Sequence, residues 1–192
     1  MKSKPMTRTP TKQKFSFQDY LLYDRDLDNH YELEDGDLLL MNPPTGRHAL
    51  IIRSLYNILE AEIRRLGLPW VTLQGIGVRT SINRSRIPDI TIVSLEQIEE
   101  RLDVSAVMES APLFVVEIVS PESRIRDYRY KRSEYSVVGI LEYWIIDPEE
   151  KKITVLLLVE GLYEEIEYRD NDRVISQTFP ELNLTVGQIL PR

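Results

Sequence analysis

Glu117 interrupts an otherwise apolar run, Leu113-Phe114-Val115-Val116-Glu117-Ile118-Val119. Such a run reads as a central strand buried on both faces. A lone carboxylate there needs a partner, a proton or a metal. The plainer reading is an acid at the strand end that reaches water or an arginine. Asp89 follows Pro88 and opens a second strand, Ile90-Thr91-Ile92-Val93; aspartate in that place also caps turns. Taken together, two strands with one acid each at an edge could converge on a hard cation. Magnesium suits such a pair, because it takes few carboxylates, several waters and phosphate oxygens.

Lys131 lies on the helix that follows the Glu117 strand. Arg124, Asp127, Lys131, Tyr135 and Val138 recur there at spacings of three or four, on one stripe. The chemical reading turns Lys131 back toward the acids, oriented by Asp127, to stabilise charge developing on phosphorus. The bland reading is an Asp127–Lys131 helix pair worth roughly 0.3 kcal/mol. Arg124 and Arg129 on this helix, and Arg84 and Arg86 just before Asp89, read as a local rim facing the phosphates of a nucleic acid. A solvated charged face is the alternative. His48, in the first turn of the longest helix, could contact a phosphate or hold Glu32, though a single histidine there also serves structure. The phosphate-binding Gly-Lys-Ser/Thr loop, the dinucleotide glycine fingerprint, His-Glu-x-x-His and the Gly-x-Ser-x-Gly elbow are all absent.

These residues sit in a chain of 192 with ordinary globular composition and a net charge of −7. That charge argues against a general nucleic-acid coat but not against an enzyme with its cations gathered in one cleft. With no cysteine, disulfides and thiolate metal sites are excluded, and a cytoplasmic home is expected. No apolar run approaches the roughly 20 residues that span a bilayer, so no membrane partner is expected.

The elements that must position the site follow from pattern. Met1 to Lys14 reads as a disordered basic arm, and 15–192 as one domain. Ser16 caps a short helix running to about Tyr23. Asp35-Gly36 turns a hairpin between Tyr31–Glu34 and Leu38–Leu40. Leu50, Ile51, Leu55, Ile58, Leu59 and Ile63 mark the longest helix, which stops at Gly67. Strands are expected at Val71–Gln74, Gly77–Ile82 and Ile90–Val93, with a polar loop at Asn83–Arg86. An acidic helix follows from Leu95 to Leu102. After the Glu117 strand come a helix Arg124–Val138, a strand Glu142–Ile146, and a meander of Lys152–Val159, Tyr163–Tyr168 and Arg173–Ile175. Strands mixed with two long helices indicate an α/β or α+β fold with a mixed sheet.

Pro88-Asp89-Ile90, Val116-Glu117-Ile118-Val119-Ser120-Pro121-Glu122-Ser123, then Asp127, Lys131, Tyr135, Gly139 and Glu142-Tyr143-Trp144 resemble the Uma-type restriction endonucleases of the PD-(D/E)xK nuclease superfamily. Tyr31-Glu32-Leu33, Asp35-Gly36, Pro43-Pro44 and His48 match the amino-terminal pattern of that family, and the likeness spans roughly Phe17 to Leu190. The resemblance implies a restriction-endonuclease-like mixed central sheet flanked by helices. It implies magnesium-dependent phosphodiester hydrolysis, with manganese as an alternative metal and DNA as the substrate. Carried over by position, Asp89 and Glu117 hold the metal, and Glu32 is an additional acid of the site. The superfamily lysine ordinarily lies two residues after the second acid, where this chain has Val119; the resemblance places it instead on the next helix, at Lys131. His48, Asp127 and Tyr135 become supporting groups. A homodimer is the expected assembly, as symmetry suits cutting of two strands. The competing expectation is a catalytically inactive nuclease fold that binds nucleic acid or protein.

Overall fold

The structure of the protein, a computed structural model, describes residues 14–23 and 29–190. The arm expected over Met1 to Lys14 lies outside that range except for Lys14, whose Nζ donates to Asp37 Oδ2 at 2.7 Å. In chain order the first elements are α1 (Phe17–Leu21), β1 (Tyr31–Glu34), β2 (Asp37–Leu40), α2 (Gly46–Leu66) and β3 (Trp70–Leu73). Next come β4 (Gly77–Ser81), β5 (Arg84–Arg86), β6 (Ile90–Ser94), α3 (Leu95–Glu99), β7 (Val107–Met108) and β8 (Phe114–Ile118). A π-helical turn, Arg126–Lys131, leads into α4 (Arg132–Val138). β9 (Glu142–Asp147), β10 (Lys152–Val159), β11 (Leu162–Arg169) and α5 (Val186–Ile189) complete the order.

The strands form two mixed sheets, one of six in the order β11-β10-β9-β8-β6-β3 and one of five in the order β2-β1-β5-β4-β7. β8 is central in the larger sheet. It pairs parallel with β9, as the strand–helix–strand pattern requires, and antiparallel with β6. All five of its residues are buried, and their alternation decides what each face does. Phe114, Val116 and Ile118 meet Ile51, Leu55 and Leu59 of α2. Val115 faces the other way, into a cluster with Val78, Tyr135 and Tyr143. Glu117 shares that second face, toward α4 and the smaller sheet.

Local chemistry accounts for the boundaries. Thr45 caps α2 by accepting from His48 N at 3.3 Å, and Gly67 ends it in the left-handed region at φ 62°. Asp35 and Gly36 both have positive φ, 49° and 84°, as the tight hairpin turn between β1 and β2 demands. A buried acid fixes the carboxy-terminal segment: Glu142 accepts from Trp144 Nε1, Thr178 N and Thr178 Oγ1, each at 2.7 Å.

Three departures from the sequence pattern bear on the site. The expected loop Asn83–Arg86 is mostly strand: β5 pairs with both β4 and β1, and Ser85 and Arg86 are fully buried. Its polar residues hid it, because their partners come from other elements. The helix expected from Arg124 to Val138 opens with the π-helical turn, a distortion common at functional sites. Finally, Arg173–Ile175 contributes only an isolated bridge, Arg173 to Thr185, and not a strand of the meander.

Candidate active site

The β6–β8 register pairs Ile90 with Val116, so one step outward Asp89 stands opposite Glu117 on the same face. Asp89 is anchored from both sides. Its Oδ2 accepts from Ile118 N at 2.7 Å, and its Oδ1 lies 2.8 Å from His48 Nε2. A carboxylate only accepts, so that nitrogen carries the proton. His48, expected against Glu32, instead reaches Asp89, because the Thr45 cap sets the first turn of α2 at the end of the sheet.

Lys131 closes the cluster from the π-helical turn. Its Nζ is 2.8 Å from Glu117 Oε1 and 3.5 Å from both Glu32 Oε1 and Asp127 Oδ1. Tyr135, one turn on, donates to the same Glu117 Oε1 at 2.7 Å. Asp127 is steadied by the Ser123 hydroxyl, and its Oδ1 has no hydrogen-bond partner among the described residues. Glu32 enters from β1, accepting from Ile87 N and from Arg86 Nη1, each at 3.1 Å.

Burial makes these charges consequential. Loss of water pushes the Glu117 carboxyl up to about 8; Lys131 opposes this, while Asp127, Asp89 and Glu32 add to it. Burial likewise raises Asp127 above its ordinary value. For Glu32 burial also pushes upward, but Lys131, Arg86 and the Ile87 N–H outweigh it and hold the group below its usual range. Burial alone would discharge Lys131, yet Glu117, Glu32 and Asp127 keep its ammonium charged well above the ordinary lysine range. Burial and the Glu117 charge hold the Tyr135 hydroxyl in its neutral form.

The donor set is compatible with a divalent cation of the magnesium type. Asp89 and Glu117 offer hard oxygens from adjacent strands, and Glu117 Oε2 accepts no hydrogen bond among the described residues. No group of three or more His, Asp or Glu among the described residues is arranged to hold a metal by itself.

The expected rim of cations divides. Arg129 is exposed and has no ion-pair partner among the described residues. Arg124 is paired with Asp147 at 2.9 Å and Glu149 at 3.2 Å. Arg84 forks onto Asp35 at 2.8 and 2.7 Å. Arg86 departs from the expectation entirely. It is fully buried, with Nε and Nη2 on Glu134 at 2.8 and 2.7 Å and further contacts to Glu32 and Glu34. Its donors are spent inside the protein and do not face a phosphate. Glu134 was not singled out from sequence; the only signal was an acid three residues after Lys131.

A family model described as "Uma2: Putative restriction endonuclease" matches residues 17–187. The fold matches the crystal structure of "a putative nuclease belonging to DUF820" from Anabaena variabilis with a TM-score of 0.76. The two chains are 18% identical over 92% of this chain and 97% of that one, a likeness of fold. No curated protein matches.

Proposed function

Since this chain belongs to the Uma2 family of restriction-endonuclease-like nucleases, we propose that it is a metal-dependent endonuclease that hydrolyses phosphodiester bonds in DNA. The observation that carries the proposal is Lys131 Nζ at 2.8 Å from Glu117, on the strand whose Ile118 N–H holds Asp89. Two acids and one amine from three elements thus meet at one sheet end.

Asp89 and Glu117 would hold magnesium or manganese, which when bound polarises the scissile phosphate and lowers the pKa of its water. The protein groups do the rest. His48 and the Ile118 N–H fix the Asp89 carboxylate. Tyr135 and Lys131 hold Glu117 by one oxygen and leave the other for the metal. The Lys131 ammonium stays charged next to the place where negative charge grows on phosphorus, which favours that state over the ground state. Glu32 and Asp127 balance the ammonium and limit its movement. Of the four arginines expected at the rim, Arg129 is the one whose head has no ion pair among the described residues, and it would meet the backbone of the substrate.

A homodimer acting on both strands belongs to this reading, as does a cytoplasmic location. Val137, Leu141 and Leu162 are 81%, 62% and 75% exposed at one end of the larger sheet and offer an apolar contact; light scattering at the mass of one chain would remove the dimer. The competing reading, a silent nuclease fold that only binds, is favoured by the burial of Lys131, 3% exposed. Incubation of supercoiled plasmid with magnesium or manganese separates them. Nicking by the wild type and none by Glu117→Gln is expected. Retained DNA binding without cleavage in either metal would select the silent binder.

A further inference from the structure

We propose that Arg86 is a positioning residue: together with Glu134 it sets the relative placement of the three chain segments that carry Glu32, Asp89 and Lys131. Arg86 lies on β5, three residues before Asp89. Glu134 lies on α4, three residues after Lys131. Glu32 and Glu34 lie on β1. One fully buried guanidinium therefore joins the segments that deliver Glu32, Asp89 and Lys131 to the site.

The contacts have the geometry for this. Arg86 engages Glu134 through two parallel bonds, Nε to Oε2 at 2.8 Å and Nη2 to Oε1 at 2.7 Å. Its Nη1 donates to Glu32 Oε2 at 3.1 Å, leaving Glu32 Oε1 for the Ile87 N–H at 3.1 Å and for Lys131 at 3.5 Å. Thr80 Oγ1 donates to Glu134 at 2.8 Å from β4. A planar fork fixes direction as well as distance.

Stability alone does not explain the arrangement. Taking an arginine and its carboxylates out of water costs several kcal/mol per ion, and apolar side chains of similar volume often hold a core equally well. What the ion cluster does supply is orientation. It leaves Glu32 ionised and aimed at Lys131, and through the turn between Lys131 and Glu134 it fixes how far the ammonium stands from Glu117.

The consequence for catalysis rests on the endonuclease reading; the geometric consequence does not. Two variants test it: Glu134→Gln, which preserves shape and loses charge, and the double variant Arg86→Met with Glu134→Leu, which replaces the pair by apolar volume. Each is first checked for wild-type circular dichroism and cooperative melting. The proton–nitrogen NMR signal of the buried Lys131 ammonium is then compared with that of the wild type, and manganese affinity is measured by calorimetry. The expected result is a displaced or exchange-broadened Lys131 signal in a folded variant and a fall of about tenfold or more in manganese affinity, the range seen when outer partners of a metal site are lost. Where cleavage is measurable, kcat should fall while KM stays nearly constant. A folded variant of either kind with an unmoved Lys131 signal overturns the proposal. A wild type that neither takes up manganese nor cleaves DNA counts against the endonuclease reading, while the NMR comparison still decides the role of Arg86.

Discussion

Glu117 is asked to be both a buried group and a ligand, and its protonation shows the conflict. Its carboxyl, ordinarily near 4.5, is pushed up to about 8. In the metal-free protein the protonated form is therefore favoured by folding. That contribution is complete below 4.5 and is lost as the pH rises through about 8. Glu32 works in the opposite sense: its lowered value gives stability above the ordinary range that is lost on acidification through the folded value. A carboxyl must shed its proton to bind a metal. Manganese affinity should accordingly rise with pH and level off above about 8. Calorimetry at pH 7 in buffers of different ionisation heat should report release of roughly one proton; uptake without release would remove Glu117 as a ligand. Asp89→Asn should abolish plasmid nicking with little change in melting temperature. Lys131→Ala should slow nicking about a hundredfold, and an unchanged rate would leave Lys131 as a counter-ion alone.

At the scale of elements, the site is a meeting of strand ends with one distorted helix. Asp127, Lys131 and Tyr135 face the Glu117 side together because they recur every four residues through the π-helical turn and α4. The far end of α4 is fixed by Gly139 at φ 92°, where no atom crowds the missing side chain. The strain of Gly139→Ala would lie in the backbone, and a loss of about 1 kcal/mol is expected, measured by urea unfolding; equal stability would show that the helix end can relax. Much of this level was legible in sequence. Glu117 stood out because every neighbour is apolar, Asp89 because proline precedes it and a strand follows, and Lys131 because it shares a stripe with Asp127 and Tyr135. β5 was not legible. Arg84-Ser85-Arg86 has no apolar alternation, and the groups that make burial of Arg86 tolerable, Glu134 and Glu32, lie 48 and 54 residues away.

For the molecule as a whole, a net charge of −7 means that the proposed DNA substrate would be drawn to a few cations and not to a general field. Most arginines near the site are already matched by acids, so the dependence of DNA affinity on salt should be shallow. Each phosphate contact adds about −0.9 to the logarithmic slope. Arg129→Ala should flatten that slope by about one contact, whereas Arg84→Ala should scarcely change it; fluorescence anisotropy over a salt series distinguishes the two. This division of cations was beyond reach from sequence, where a run of arginines looks the same whether its partners are phosphates or glutamates.

Glu142 ties the carboxy-terminal stretch to the core. Its side chain lies buried on one face of the larger sheet, and Thr178, which supplies two of its hydrogen bonds, follows 36 residues later in the chain. Without that late stretch, Glu142 Oε2 lacks both of its donors on the sheet face it shares with Trp144. Chains halted before Thr178 also lack Phe179, Leu182 and Leu184 over that face, and should be cut by protease where the full chain resists it.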